Sequence, residues 1–234
     1  MEEWGNRYIN DCLEDYRDDD DLDPNIELPF NRDVLEVFKT LLDTQPTTTI
    51  AIDKAATSIA ARVNSESDPE AKDILLAQFD GFIIAAMSSP LDTSVLAEVV
   101  RLFILAIHPY DRAEQFRTEF SWGLREEWNG PNEGKYFYPY DKRTREERIQ
   151  NWVGVNELTA HLVRTNTVLP SEHFASWTLG RAFGPNSDPA DMLDYHVPAA
   201  AAWIRILGRE IREFCVVGDP EEFDKGRWDG LKRG

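Results

Sequence analysis

Apolar side chains recur every three to four residues along most of this chain, and polar, glycine- or proline-bearing breaks separate the blocks. That period puts them on one face of an α-helix, so the pattern predicts a succession of amphipathic helices. Trp4, Tyr8, Ile9, Cys12 and Tyr16 outline a short first helix over 3–17. The aspartates at 18–21 and the residues up to Pro29 read as a solvated linker. A second helix is expected over 33–42, with Asn31 as its cap and Val34, Leu35, Val37, Phe38, Leu41 and Leu42 as its apolar face. Ile50, Ala51, Ala55, Ile59, Ala60 and Val63 continue the stripe to about Asn64.

Asp68-Pro69-Glu70 combines a capping side chain, a proline at the first helical position and an acidic first turn, and opens a helix to about Met87. Asp92 caps the next. Its Leu96, Val99, Val100, Phe103, Ile104 and Ile107 make it apolar around much of its circumference, as a central helix would be. His108-Pro109 ends it, with His108 expected as a C-terminal helix residue. Phe116, Phe120, Leu124 and Trp128 step by four through a helix over 111–128. A loop at 129–140 then holds Tyr136, Phe137, Tyr138 and Tyr140, which must pack back onto the body or face a partner.

The longest sustained pattern runs from Thr144 to Phe214 and holds three of the four histidines and three of the seven tryptophans. It reads as a long helix carrying Ile149, Trp152, Val155, Asn156 and Leu162, a short helix capped by Ser171, and a final long helix starting between Tyr195 and Pro198. His173, Trp177 and Arg181 follow at four-residue intervals and therefore share one face of the short helix. The alanines at 199–202 precede Trp203, and such small residues suit the close approach of another helix. Trp152, Asn156, His173, Trp177, Arg181, His196 and Trp203 form a candidate pocket, with the three tryptophan rings facing a common interior. In it Arg181 would hold a carboxylate or phosphate, and His173 or His196 would exchange a proton. The competing reading makes the tryptophans core, pairs Arg181 with one of the many acids and satisfies both histidines locally.

A chain of 234 residues can bury a sizeable core, and 42% apolar with 11% aromatic residues supplies one. The expected organisation is an N-terminal helix and acidic linker over 1–30, then a single all-helical domain over 31–234. The fold class is all-α, an irregular multi-helix bundle of about eight to ten helices, with a solenoid-like stack as the alternative. A net charge of -18 repels nucleic acid and anionic membrane and is compatible with a basic protein partner. The basic segment at 142–148 is interleaved with Glu146 and Glu147 and follows Asp141, so it is no phosphate-binding stripe. Asp80, Asp92, Glu98 and Arg101 interrupt the most apolar stretch, and no membrane span is expected. The start lacks a signal-peptide pattern, which makes a soluble, cytoplasmic protein the expectation.

Chemistry-bearing motifs are scarce. His108, His161, His173 and His196 have no metal-ligand spacing, and no Gly-x-Ser-x-Gly elbow occurs. Cys12 and Cys215 lie near opposite ends and leave one disulfide open, but two cysteines do not make a secreted disulfide scaffold. No metal site is expected, and neither a cofactor nor a catalytic residue is assigned.

Three segments together resemble a known family: 151–165, then Ala175-Ser176-Trp177-Thr178-Leu179-Gly180-Arg181-Ala182-Phe183, then Val197-Pro198 followed by the alanines, Trp203 and Ile204. They are similar to a fungal domain of unknown function, number 3632 (DUF3632), with the resemblance strongest over 145–232. Gly180 stands between Leu179 and Arg181 where the family pattern joins Leu to Arg, and Leu231 stands where it has a second tail tryptophan. The resemblance implies a fungal, mostly helical, intracellular protein and carries over no catalytic residue.

The leading expectation is a helical interaction or scaffold protein. Tyr136, Phe137, Tyr138, Tyr140, Phe223 and Trp228 are its candidate interface, toward a protein partner or a second copy. The alternative is a small-molecule binding protein or enzyme using the pocket between the late helices.

Overall fold

The computed structural model describes residues 2–18, 24–44, 47–128, 143–167, 172–184 and 192–217. Nine α-helices lie among them: α1 (Glu2–Asp18), α2 (Pro24–Asp43), α3 (Thr49–Asn64), α4 (Pro69–Ala86), α5 (Thr93–Ala106), α6 (Tyr110–Glu127), α7 (Arg145–Arg164), α8 (Glu172–Phe183) and α9 (Leu193–Val217). No strand occurs among these residues, so the all-α expectation holds and the number of helices falls in the expected range. The chain divides into two compact units, Met1–Gly123 and Leu124–Gly234, with the boundary inside α6. Each is an irregular bundle.

In the first unit α2 packs on α1, α3 and α4, while α3 also packs on α4 and α5. Phenylalanines build its centre. The Phe79 and Phe103 rings lie 4.1 Å apart, Phe116 sits edge-on to Phe103 at 5.2 Å, and Phe38 stacks on Phe82 at 5.1 Å. Trp4 stacks on Tyr8, and both meet Phe82 edge-on, which fixes α1. A Cβ on Gly5 would come within 2.9 Å of the Leu35 side chain, so glycine permits the close approach of α1 to α2. Asp68 and Asp92 cap α4 and α5 as their sequence contexts predict, accepting from Glu70 and Ser94 backbone N–H groups. Asn64 at the end of α3 donates to the Ala106 carbonyl and accepts the His108 N–H, both at 2.9 Å, and so satisfies the C-terminal end of α5. That helix stops at Ala106. His108 lies beyond it, exposed, and is not the helical residue expected from the sequence.

The beginning of α2 also departs from expectation. The helix starts at Pro24 and runs through Pro29, replacing the linker read there, and Asn31 is a fully buried residue within it rather than its cap. Glu27, Phe30, Asn31, Val34, Leu35, Phe38 and Leu41 form one buried stripe at helical spacing. Two of its members are polar, which is why the apolar period seemed to begin later. Both bond to Gln78 of α4, which donates to Glu27 at 2.5 Å and accepts from Asn31 at 2.7 Å. Asn31 also reaches the Cys12 sulfur at 3.8 Å.

The second unit rests on α7, α8 and α9. Thr144 opens α7 with a reciprocal capping box, its hydroxyl accepting the Glu147 N–H while the Glu147 carboxylate accepts the Thr144 N–H. Asn166 closes the helix in a left-handed conformation (φ 53°), where Asn166 and Thr167 donate to the Val163 and Leu162 carbonyls. This is the Schellman arrangement, with asparagine in the place glycine usually takes. Asp194, Trp203 and Arg205 of α9 bond to Arg145, Asn156 and Glu157 of α7, at sequence offsets of 49, 47 and 48 residues. A constant offset means that the two helices run parallel, both beginning at the same end of the unit. The final helix starts at Leu193, slightly before the expected position, contains Pro198, and is kinked where Leu207 leaves helical geometry. Ala199, Ala200 and Ala202 are buried along it, as their small size predicts.

Candidate functional site

The α7–α9 seam closes because α7 turns Trp152, Val155, Asn156, Leu158, Thr159 and Leu162 inward, while α9 answers with Tyr195, His196, Ala199, Ala200 and Trp203. At its centre the Asn156 side chain makes three hydrogen bonds. Its Nδ2 donates to the Trp152 carbonyl at 2.8 Å, and its Oδ1 accepts the Trp203 indole N–H at 2.7 Å and the Thr178 hydroxyl at 2.9 Å. The amide orientation follows from its partners, because an indole N–H only donates and a backbone carbonyl only accepts. One buried side chain thus ties α7 to both α8 and α9.

Aromatic rings surround this node. Trp128 lies 5.3 Å from Trp152 and 6.0 Å from Trp203, stacks on Phe174 at 4.5 Å, and donates its indole N–H to the Thr159 hydroxyl. Trp128, Phe174, Thr159 and Thr178 were not among the sequence candidates. Trp128 did stand at the end of a four-residue stripe, but residues 129–144 separate it from α7 along the chain, and nothing in one sequence reveals that return.

Four of the seven candidate residues meet: Trp152, Asn156, His196 and Trp203 are all buried, with the His196 ring edge-on to Trp152 at 5.9 Å. Trp177 does not join them. It is 56% exposed, and its ring meets Phe174 only edge-on, so the expected common interior of three tryptophans holds for two. The reason lies in the helix period. Phe174, Ala175, Thr178, Leu179 and Ala182 form the buried face of α8, and the face shared by Trp177 and Arg181 points away from it. Arg181 is exposed on that same face. The side chain of His173 falls outside the described set, as do Tyr136, Phe137, Tyr138, Tyr140, Phe223 and Trp228.

Electrostatically the seam is edged by arginines. Arg145 lies over the Tyr195 ring at 5.1 Å and contacts Asp194, and Arg148 donates to the Arg143 carbonyl. At the end of α6, burial pushes the Glu127 carboxyl above its ordinary range, against the lowering influence of Arg143. Three buried polar atoms of the seam, Trp152 Nε1, Tyr195 OH and Arg148 Nε, have no hydrogen-bond partner among the described residues. Among the described residues no His, Cys, Asp and Glu side chains gather in threes as metal ligands would, and no helix is long and apolar enough to cross a membrane.

No curated protein and no solved structure matches the chain. The family model "Protein of unknown function (DUF3632)" matches residues 110–234, which include α7, α8, α9 and the Asn156 node. With more than half of its length so matched, the chain belongs to the DUF3632 family.

Proposed function

We propose that this chain is a helical interaction protein that docks a basic protein partner through the outward face of α8. The reading rests on Trp177, 56% exposed on a helix whose other face is buried, with Arg181 exposed one turn further on. Tryptophan and arginine are the side chains that most often dominate binding energy at protein interfaces. A net charge of -18 favours a basic partner over a second copy, since two such copies repel each other. The Asn156 node supports the same reading, because its amide is engaged within the core rather than offered to a substrate.

Affinity capture with the full chain, followed by cross-link mapping, tests this. Trp177→Ala is expected to lower partner capture by about tenfold or more, with cross-links concentrated on α8. Trp122→Ala, which removes an indole of similar exposure (53%) from the first unit, should leave capture unchanged. Equal capture by both variants would remove α8 as the docking face. A dimer seen by light scattering, and lost in Trp177→Ala, would replace the basic partner by a second copy.

A further inference from the structure

The Asn156 node accounts for the middle of the α7–α9 seam, but not for the end where both helices begin. There the two helices lie side by side with a constant offset of 47 to 49 residues, so Arg148 stands level with Tyr195 and His196. Trp152 is one turn further along α7, a rise of about 6 Å. Its ring meets His196, while the Arg145 guanidinium lies 5.1 Å from the Tyr195 ring centre. Arg145, Arg148, Trp152 and Tyr195 are thereby brought within about two helical turns of one another.

Three of these residues hold a buried polar atom without a hydrogen-bond partner among the described residues: Arg148 Nε, Trp152 Nε1 and Tyr195 OH. Tyr195 is fully buried and Trp152 is 4% exposed. An unsatisfied buried donor is costly, and folded proteins keep few of them. Here three occur at one end of one seam, and each can donate: an indole N–H and a guanidinium N–H do nothing else, and a phenol can. Their shared requirement is an acceptor with several oxygens.

The surrounding charge has the same sense. Because α7 and α9 run parallel, the positive ends of both helix dipoles point to this end, where anions are favoured. Arg145 and Arg148 add formal positive charge, in a chain whose net charge is -18. Two acids at this end already have partners. Asp194 contacts Arg145, and Glu147 closes the capping box on Thr144.

We infer that the start of the α7–α9 seam binds a small oxyanion, the phosphate or carboxylate group of a metabolite, through Arg148, Trp152 and Tyr195, with Arg145 adding charge. The site uses Trp152 from the sequence-derived pocket but neither Arg181 nor Trp177, and it does not depend on the partner proposed for α8. Asn156 and Trp203 lie deeper in the seam and hold α9 at the offset that aligns the donors.

The decisive measurement is a two-dimensional ¹H–¹⁵N spectrum of the full chain, whose seven tryptophans give resolvable indole N–H signals. Loss of one signal in Trp152→Phe assigns the resonance that matters. Inorganic phosphate and succinate are titrated separately at matched ionic strength, with chloride as the reference. The Trp152 signal is expected to move saturably with at least one oxyanion, and the arm that saturates separates a phosphorylated from a carboxylic ligand. Tyr195→Phe, which deletes only the hydroxyl, and Arg148→Lys, which keeps the charge but not the Nε donor, should each weaken binding by about tenfold. Since the hydroxyl has no partner among the described residues, Tyr195→Phe should fold with an unchanged or raised Tm. No saturable shift with either probe would overturn the site. So would equal affinity in wild type, Tyr195→Phe and Arg148→Lys.

Discussion

The two units solve the same packing problem with different aromatic residues. In the first, Phe38, Phe79, Phe82, Phe103 and Phe116 fill the centre, and their rings ask nothing of their neighbours beyond shape. In the second, Trp128, Trp152 and Trp203 take that place, and each brings an N–H that must be met or left stranded. Trp203 is met by Asn156 and Trp128 by Thr159. A phenylalanine core tolerates small displacements, whereas a tryptophan core with hydrogen-bonded indoles holds its helices in one register. Polar groups are buried in both units, but they do different work. Glu27, Gln78 and Asn31 form a chain between two helices, while Asn156 gathers three helices on one amide.

The largest effect that would sharpen this contrast is expected from Asn156→Leu. It strands the Trp203 N–H and the Thr178 hydroxyl in an apolar interior, and should cost about 3–5 kcal/mol in urea unfolding. A more conservative cut in the first unit, Phe79→Leu, should cost about 1–2 kcal/mol, because the neighbouring phenylalanines can close part of the gap. If Phe79→Leu proves as damaging as Asn156→Leu, the distinction between a tolerant and a registered core fails.

Acid separates the units in opposite directions. The Arg101 hydrogen bond holds the Glu98 carboxyl below its usual range, so its contribution is complete above the unfolded value near 4.5 and disappears as pH falls through the lower folded value. Glu98→Gln should therefore cost less than about 1 kcal/mol at neutral pH, and nothing in strong acid. Glu127 is the reverse case. Burial raises its pKa, so its charge opposes folding above the folded value, and the penalty vanishes as pH drops below about 4.5. Glu127→Gln should raise Tm at neutral pH and leave it unchanged at pH 4. The smallest effect belongs to Trp177→Ala, within about 0.5 kcal/mol by thermal melting, since that ring is largely outside the core.

Helix identity was legible wherever the apolar period was unbroken and a cap preceded it. Asp68 and Asp92 announced α4 and α5, and the Phe116–Trp128 stripe announced α6. Legibility stopped where a polar residue occupied a core position. Glu27 and Asn31 concealed the start of α2, because their partner Gln78 lies 51 and 47 residues away. The candidate pocket divided for a related reason. Four-residue spacing correctly placed Trp177 and Arg181 on one face of α8, but spacing alone does not say which face the neighbours cover. Asn156 was identifiable as unusual on an apolar helix. Its role as a three-helix junction required Thr178 and Trp203 to arrive from two other segments.

The parallel pairing of α7 with α9 also limits how relatives of this chain can differ in length. Residues gained or lost between Thr167 and Glu172, or between Gly184 and Leu193, lie outside α7, α8 and α9 and leave the register within each helix unchanged. One residue inserted inside α7 ahead of Asn156 would instead swing every later side chain by about 100°. Gaps in an alignment of DUF3632 chains should accordingly fall in these two connections and spare the interiors of α7, α8 and α9.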